Sequence, residues 1–242
     1  MKKIYLILLS ILVLASCSKR DPILPGTRYD IFDNTDTVVL NRELPDLSEN
    51  AKNISGDANC DYRQDASNTI YNGDKKIYIG FAPDSVVKNN QSPICAGSYL
   101  YTGLSTGEVI KINKSNGRVI WTSDVFRPNN LTGGASVVDI VAHVGVDGNA
   151  VYAGGLGDAF CKLNANNGDK VWCVNISVPV DFIIVDNFAF VVGTDNNLYA
   201  IDTKNGDIYW KIEIKRQVKP EYNGKFITVR KQRINYKNGL ID

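Results

Sequence analysis

KINKSNGRVIW (residues 111–121), KLNANNGDKVW (162–172) and AIDTKNGDIYW (200–210) are three versions of one phrase in this chain. Each begins with a strand-like alternation of apolar and polar residues, passes through an Asn-Gly pair and ends in tryptophan. Asn-Gly supplies the positive φ angles that a tight turn between two strands needs. Strand-only units that recur at intervals near 40 residues are typical of propeller blades. The repeat therefore predicts an all-β fold.

Glycine and tryptophan hold constant places in these units, and the three units contain all the tryptophans of the chain. The residues are Gly117 and Trp121, Gly168 and Trp172, and Gly206 and Trp210. Each blade of a propeller must dock a large apolar group on its neighbour, so we interpret these six as structural repeat residues. A set of ligand-stacking rings is the alternative for the tryptophans.

The units predict a partial β-propeller over residues 67–242, with about three complete four-stranded blades and an incomplete fourth. The expected blades are residues 98–125, 137–176 and 180–214, with the incomplete one at 218–242. We expect an open arc whose last segment, 218–242, is less ordered; a closed ring of four blades is the alternative. An elongated loop is expected around RPNNLTGG (127–134), where propellers commonly place a binding surface.

The first 17 residues, MKKIYLILLSILVLASC, combine two lysines, a short apolar run and small residues, as in a secretory signal. We expect a signal peptide over residues 1–16 and a polar, flexible tether over 17–66. The end of the signal, Leu14-Ala15-Ser16-Cys17, resembles the lipobox of bacterial lipoproteins. That resemblance implies a lipid on Cys17, and Ser18 after it favours the outer membrane, on the periplasmic face. An ordinary cleaved signal is the alternative.

Composition excludes two classes of partner or site. The chain carries 27 basic and 26 acidic side chains, which indicates no nucleic-acid partner. Its single histidine, His143, argues against a histidine-based metal site, and we expect it to be a satisfied, half-buried side chain. Four cysteines besides Cys17 permit disulfides in an oxidising compartment. Cys161 and Cys173 are symmetric about the turn of the middle unit and form a candidate disulfide; buried free thiols are the alternative.

The phrase A/K-x-[ND]-x-x-[TN]-G-x-x-x-W resembles the repeat of the pyrroloquinoline-quinone-type propellers. Together with the lipobox, KKIYIGFAPDS (75–85) and TDNNLYAIDTKNGDIYW (194–210), it makes the chain similar to the BamB family, lipoproteins of the outer-membrane β-barrel assembly machinery. The resemblance implies a non-catalytic outer-membrane scaffold that binds the barrel-forming subunit and needs no cofactor. It also implies that Asp139, just after the elongated loop, is a candidate partner contact.

Two other functions stay open at this point. Family members normally have eight blades, so this sequence resembles their N-terminal half, and a truncated, non-functional member is one alternative. A fragment of a quinoprotein-type dehydrogenase is the other, because those enzymes share the repeat. Resemblance to them would imply a vicinal cysteine pair, calcium held by Glu and Asn, and a catalytic Asp. No two cysteines are adjacent here, so we predict no catalytic residues, no cofactor and no metal.

Overall fold

The computed structural model describes residues 38–48, 60–81, 87, 92–126 and 137–241. The chain divides into two compact units, residues 1–34 and 35–242, and everything described belongs to the second. The signal peptide expected over 1–16 and the lipidated Cys17 lie outside the described residues, as does the RPNNLTGG loop.

The described residues form five antiparallel sheets in which each strand pairs with the next along the chain. The leading sheet contains β1 (Tyr62–Gln64), β2 (Ile70–Asn72) and β3 (Lys75–Tyr78). The first blade contains β4 (Ile94–Ala96), β5 (Tyr99–Gly103), β6 (Glu108–Asn113) and β7 (Val119–Asp124). The second blade contains β8 (Gly145–Asp147), β9 (Ala150–Gly154), β10 (Phe160–Asn164) and β11 (Lys170–Val174). The third blade contains β12 (Ile183–Val185), β13 (Phe188–Val192), β14 (Asn197–Asp202) and β15 (Ile208–Glu213), and the last sheet β16 (Glu221–Tyr222), β17 (Phe226–Val229) and β18 (Gln232–Asn235).

This architecture confirms the predicted fold class: an all-β partial propeller with three complete four-stranded blades and an incomplete fourth. Each complete blade begins at a short strand that precedes the repeated phrase. In the first blade that strand is β4, which begins at Ile94, four residues before the expected start of the blade.

Apolar side chains on both faces of each blade form a separate core with each neighbouring sheet. On β13, Phe188 and Phe190 pack in the core shared with the last sheet. Ala189 and Val191, which point to the opposite face, pack in the core shared with the second blade. Because both faces are covered, all five residues of β13 are buried and the strand reads as a continuous apolar run. Full burial of a phenylalanine contributes about 1.5–3 kcal/mol, so these cores hold the sheets together.

The tether expected over residues 17–66 differs from the structure in two places. Residues 62–64 form β1, an edge strand of the leading sheet. Residues 38–48 lie against the third blade and the last sheet, where Leu44 and Leu47 join the core between them. Residues 38–48 dock because Leu44 and Leu47 fill the groove between the third blade and the last sheet. Two leucines among polar residues produce no repeat in the sequence, so the sequence does not predict this docking.

The last segment, for which less order is expected, contains strands in the structure. Residues 218–241 form the three strands of the last sheet and the turn that follows, and Ile241 makes an isolated bridge to Ile234. Ile227, Val229 and Ile234 are buried against the third blade, so burial orders this segment.

Candidate functional site

Each tryptophan of the repeat lies in the seam between its own blade and the next sheet. Its indole Nε1–H donates a hydrogen bond across the seam to a backbone carbonyl. The three bonds are Trp121 to Ala165 at 3.1 Å, Trp172 to Thr203 at 3.1 Å and Trp210 to Tyr236 at 3.0 Å. A buried indole needs such a partner, and the acceptor sits in the corresponding turn each time. In the structure, each tryptophan therefore joins its own blade to the next sheet.

In three Asn-Gly turns the glycine lies on the ring of the preceding tryptophan. Gly168, Gly206 and Gly239 have φ angles of +79°, +83° and +73°. A Cβ at Gly168 would lie 2.8 Å from ring carbons of Trp121, and at Gly206 it would lie 3.0 Å from Trp172. Glycine is therefore required twice over, by the backbone conformation and by the ring. Gly117 faces the leading sheet instead, where its Cβ would meet the carbonyl oxygen of Ile77 at 2.3 Å.

Two seams carry a second donor that sequence analysis missed. Lys111 donates its Nζ–H to the Ala165 carbonyl at 2.7 Å, and Lys162 does the same to Thr203 at 2.8 Å. Burial lowers the pKa of Lys111. The signal in the sequence was the lysine that opens the first two phrases; the third phrase opens with Ala200.

Both cysteine pairs are disulfide-bonded in the structure. Cys161 and Cys173 face each other on β10 and β11, with Cα atoms 4.1 Å apart. The bond between Cys60, two residues before β1, and Cys95 of β4 links the leading sheet to the first blade. The second pairing had no signal in the sequence, because it depends on how two separate sheets pack.

Asp139 lies beside a small cavity of about 30 Å³ at the end of the blades that carries the turns between their second and third strands. Its side chain is 3% exposed. One oxygen, Oδ2, accepts a hydrogen bond from the Val87 backbone at 2.5 Å, and Oδ1 has no partner among the described residues. Burial raises the pKa of Asp139, against the opposing effect of that hydrogen bond. This deep position differs from the surface position that a direct partner contact requires; in this state Asp139 holds the chain's own backbone.

Amide side chains from the leading sheet also line that cavity. The Asn68 Oδ1 accepts hydrogen bonds from the backbone and hydroxyl of Ser105, both at 2.9 Å. The Gln64 Nε2–H donates to the Gly103 carbonyl at 2.9 Å. These bonds join the leading sheet to the first blade. A cavity of this size has room for about one water molecule and not for an organic substrate.

His143 is half-buried and paired, as expected for a satisfied side chain. Its Nδ1 lies 2.9 Å from Asp181 Oδ1, and its backbone N–H donates to the same oxygen at 2.8 Å. Its Nε2 accepts the backbone N–H of Ser92 at 3.3 Å. Burial would raise the pKa of Asp181, but the bonds from His143 lower it below the usual value. The arrangement fastens the loop before β4 to the second and third blades.

Within the described ranges, no three side chains of the types His, Cys, Asp and Glu cluster as metal ligands would. The same part of the chain contains no helix that is long and apolar enough to cross a bilayer. Resemblance to the quinoproteins would imply a vicinal cysteine pair. No two cysteines of this sequence are adjacent, so its cysteines do not fit a pyrroloquinoline quinone site of that kind.

Comparison with known proteins adds a family. The family model described as outer membrane protein assembly factor BamB matches residues 76–212, more than half of the chain. The BamB of Kangiella koreensis is 21% identical over 137 residues, which cover 57% of this chain and 35% of that protein. The tetrathionate hydrolase of Acidithiobacillus ferrooxidans is 26% identical over 149 residues, which cover 60% of this chain and 27% of that enzyme.

The crystal structure of BamB from Moraxella catarrhalis has the same fold. Its TM-score is 0.50 at 16% identity, and the match covers 82% of this chain and 65% of that one. The chain spans about a third of the length of the curated BamB protein that it matches.

Proposed function

This chain belongs to the family of the outer membrane protein assembly factor BamB, and we propose that it is a non-catalytic scaffold that helps outer-membrane β-barrel proteins assemble and insert. The observation that carries the proposal is the family match over residues 76–212, which contains all three complete blades up to Ile212 of β15. The partner would be the barrel-forming subunit of the assembly machinery.

The physical properties of the blades support a scaffold. Three seams are each closed by a tryptophan, a turn glycine and an apolar core, and the seam with the leading sheet is closed by Gly117 and an apolar core, so each complete blade is held on both faces. Rigid sheets with outward edges can receive extended segments of other proteins by strand addition.

The proposed location is the outer membrane, on the periplasmic face, with Cys17 as the lipid-bearing residue. Leu14-Ala15-Ser16-Cys17 and the following Ser18 support this location. Two acyl chains anchor a protein firmly, since each buried methylene contributes about 0.8 kcal/mol. Cysteine pairing in both described disulfides suits an oxidising compartment.

Co-purification tests the scaffold proposal. An affinity-tagged full chain is recovered from detergent-solubilised envelopes, and the barrel-forming subunit is expected in the eluate at a constant ratio. The Cys17→Ala variant, which keeps the folded region, serves as the control for membrane attachment. A tagged chain that is anchored, shows the near-UV circular dichroism of a packed fold and elutes alone would contradict the proposal. A chain without that spectrum would instead support the truncated, non-functional alternative.

Catalysis is the second candidate, and the tetrathionate hydrolase relative is the observation that favours it. The purified chain is incubated with tetrathionate, and separately with pyrroloquinoline quinone, calcium and an alcohol or sugar plus an electron-accepting dye. No turnover above a heat-unfolded sample is expected in either assay. Saturable turnover in one of them would replace the scaffold proposal by an enzyme.

A further inference from the structure

The outer strand of the third blade carries an additional segment from the start of the described chain. Val39 forms a parallel bridge with Ile208 of β15. Leu40 and Arg42 donate backbone hydrogen bonds to the carbonyls of Ile208 and Tyr209, both at 2.9 Å. The edge of β15 thus binds an extended segment through its main chain, as strand addition does.

The same segment then enters the groove between the third blade and the last sheet. The Leu44 N–H donates to the carbonyl of Lys237 at 2.7 Å. Leu44 and Leu47 are both buried in the core of that groove. Two leucines three residues apart therefore supply the apolar contact of the docked segment.

Charged and polar groups set the position of the leucines. Asp46 forms an ion pair with the Lys237 ammonium. Ser48 donates from its backbone N–H and from its hydroxyl to the carboxylate of Asp186, at 2.7 and 2.9 Å. The docked segment therefore has the pattern L-x-D-L-S. Its aspartate pairs with Lys237, which follows β18, and its serine binds Asp186 in the turn between β12 and β13.

One blade earlier, the corresponding groove is open among the described residues. It lies between the second and third blades and has a volume of about 410 Å³. Its lining includes Val171, Thr203 and Lys204, which occupy the repeat positions of Tyr209, Tyr236 and Lys237. Val171 is 53% exposed at its mouth, and β11 has an edge with no second strand among the described residues. The cationic and main-chain elements of the filled groove are therefore repeated, whereas most of the lining of the open groove is polar and Val171 supplies apolar surface at its mouth.

Two acids line the open groove, Asp147 and Asp186, and Asp186 already accepts the hydrogen bonds of Ser48. Asp147 ends β8 and lines the open groove, one position before the residue that corresponds to Asp186. The groove between the first and second blades lacks this set, because Asn166 replaces the lysine and Ala96 stands at the position of Asp147. Two grooves between complete blades remain. Of these, only the groove between the second and third blades has charged groups of the kind that the filled groove uses.

We propose that the groove between the second and third blades docks an extended segment of a partner protein with the pattern L-x-D-L. The segment would run along the edge of β11, place its two apolar side chains at Val171 and pair its acid with Lys204. The chain's own residues 39–48 show which chemistry fits, because they fill the next groove in this way. This inference concerns a docking pattern and does not depend on a role in barrel assembly.

A labelled peptide tests it. The probe is VVLNRELPDLS, residues 38–48 of this chain, with a fluorophore at its N-terminus; the detergent-solubilised full chain is titrated and anisotropy is measured. We expect saturable binding. Replacing both leucines of the peptide by alanine should weaken binding at least about tenfold, because apolar burial drives docking.

Charge exchange identifies the groove. Lys204→Glu in the protein should lower the affinity for the peptide about three- to tenfold. A peptide with Asp46→Lys should bind the Lys204→Glu protein with the affinity restored. Lys204 is exposed, so the variant is expected to fold, and near-UV circular dichroism checks this. Lys114→Glu, in the corresponding turn of the first blade but outside the groove lining, is the matched control and should leave the affinity unchanged.

Two outcomes would overturn the proposal. Binding that responds to Lys237→Glu and not to Lys204→Glu would show that the peptide merely exchanges with residues 39–48. An absence of saturable binding to the folded protein would show that the open groove is closed to outside segments, including closure by the chain's own residues after Ser48.

Discussion

Substitution of Gly168 by alanine tests the role of the tryptophan seams. The new Cβ would lie 2.8 Å from Cδ2 and Cε3 of Trp121, whereas carbon atoms pack at about 3.5–4.0 Å. The ring must therefore move, and its hydrogen bond to the Ala165 carbonyl, now 3.1 Å, lengthens. We expect about 1–3 kcal/mol of destabilisation from overpacking, in addition to about 1–2 kcal/mol from the positive φ of an alanine.

Gly148 supplies a matched control in the same blade. Its φ is +53°, and a Cβ there would meet nothing within 4 Å. Gly148→Ala should therefore cost only the conformational part, about 1–2 kcal/mol. The difference between the two variants isolates the contact with the indole.

Equilibrium unfolding in urea, followed by tryptophan fluorescence, measures both variants. All three tryptophans lie in seams, so the emission reports on the contacts in question. We expect the Gly168→Ala midpoint to lie well below that of Gly148→Ala at a similar slope. Equal midpoints for the two variants would refute the argument that the ring, and not the turn alone, requires glycine.

Three further predictions concern the lipid, the disulfide and two carboxylates. Wild-type chain should incorporate radiolabelled palmitate and Cys17→Ala should not; equal labelling would remove the lipoprotein prediction. Peptide mapping without reductant, after extraction into alkylating buffer, should recover Cys161 linked to Cys173, and recovery of both as alkylated thiols would end that prediction. Burial raises the pKa of Asp139 above 3.8 in the folded state, so ionisation of this carboxyl destabilises the fold as the pH rises above 3.8. The free energy of unfolding of Asp139→Asn should therefore increase relative to that of wild type from pH 3.5 to 7. The pKa of Asp181 is lowered in the folded state, so its contribution to stability is present above pH 3.8 and is lost as the pH falls through the folded pKa. The free energy of unfolding of Asp181→Asn should therefore decrease relative to that of wild type from pH 3.5 to 7. Parallel pH profiles of the two variants in urea unfolding would contradict at least one of the two assignments.

The strand repeat and the blades could be predicted because their determinants are local. A strand, an Asn-Gly turn and a second strand occupy about eleven residues, and apolar alternation within them decides which face is buried. The phrase around Trp172 therefore predicted a hairpin, and β10 and β11 form it. The opposed position of Cys161 and Cys173 follows from the same register.

Other features depend on contacts between residues far apart in the sequence. The pairing of Cys60 with Cys95 depends on how the leading sheet packs on the first blade. The hydrogen bond from the Val87 backbone to Asp139 joins two different connections of the chain. No local pattern encodes either contact.

By itself, then, the sequence determined the type of fold, the number of complete blades and the repeat of glycine and tryptophan, because each arises from short-range geometry copied along the chain. Tertiary structure alone decided where residues 38–48 dock. Leu44 and Leu47 find their groove only after residues some 140–190 positions later, among them Asp186 and Tyr236, have built it. A docking site made of two sheets exists only once both have folded, and so it leaves no period in the sequence to read.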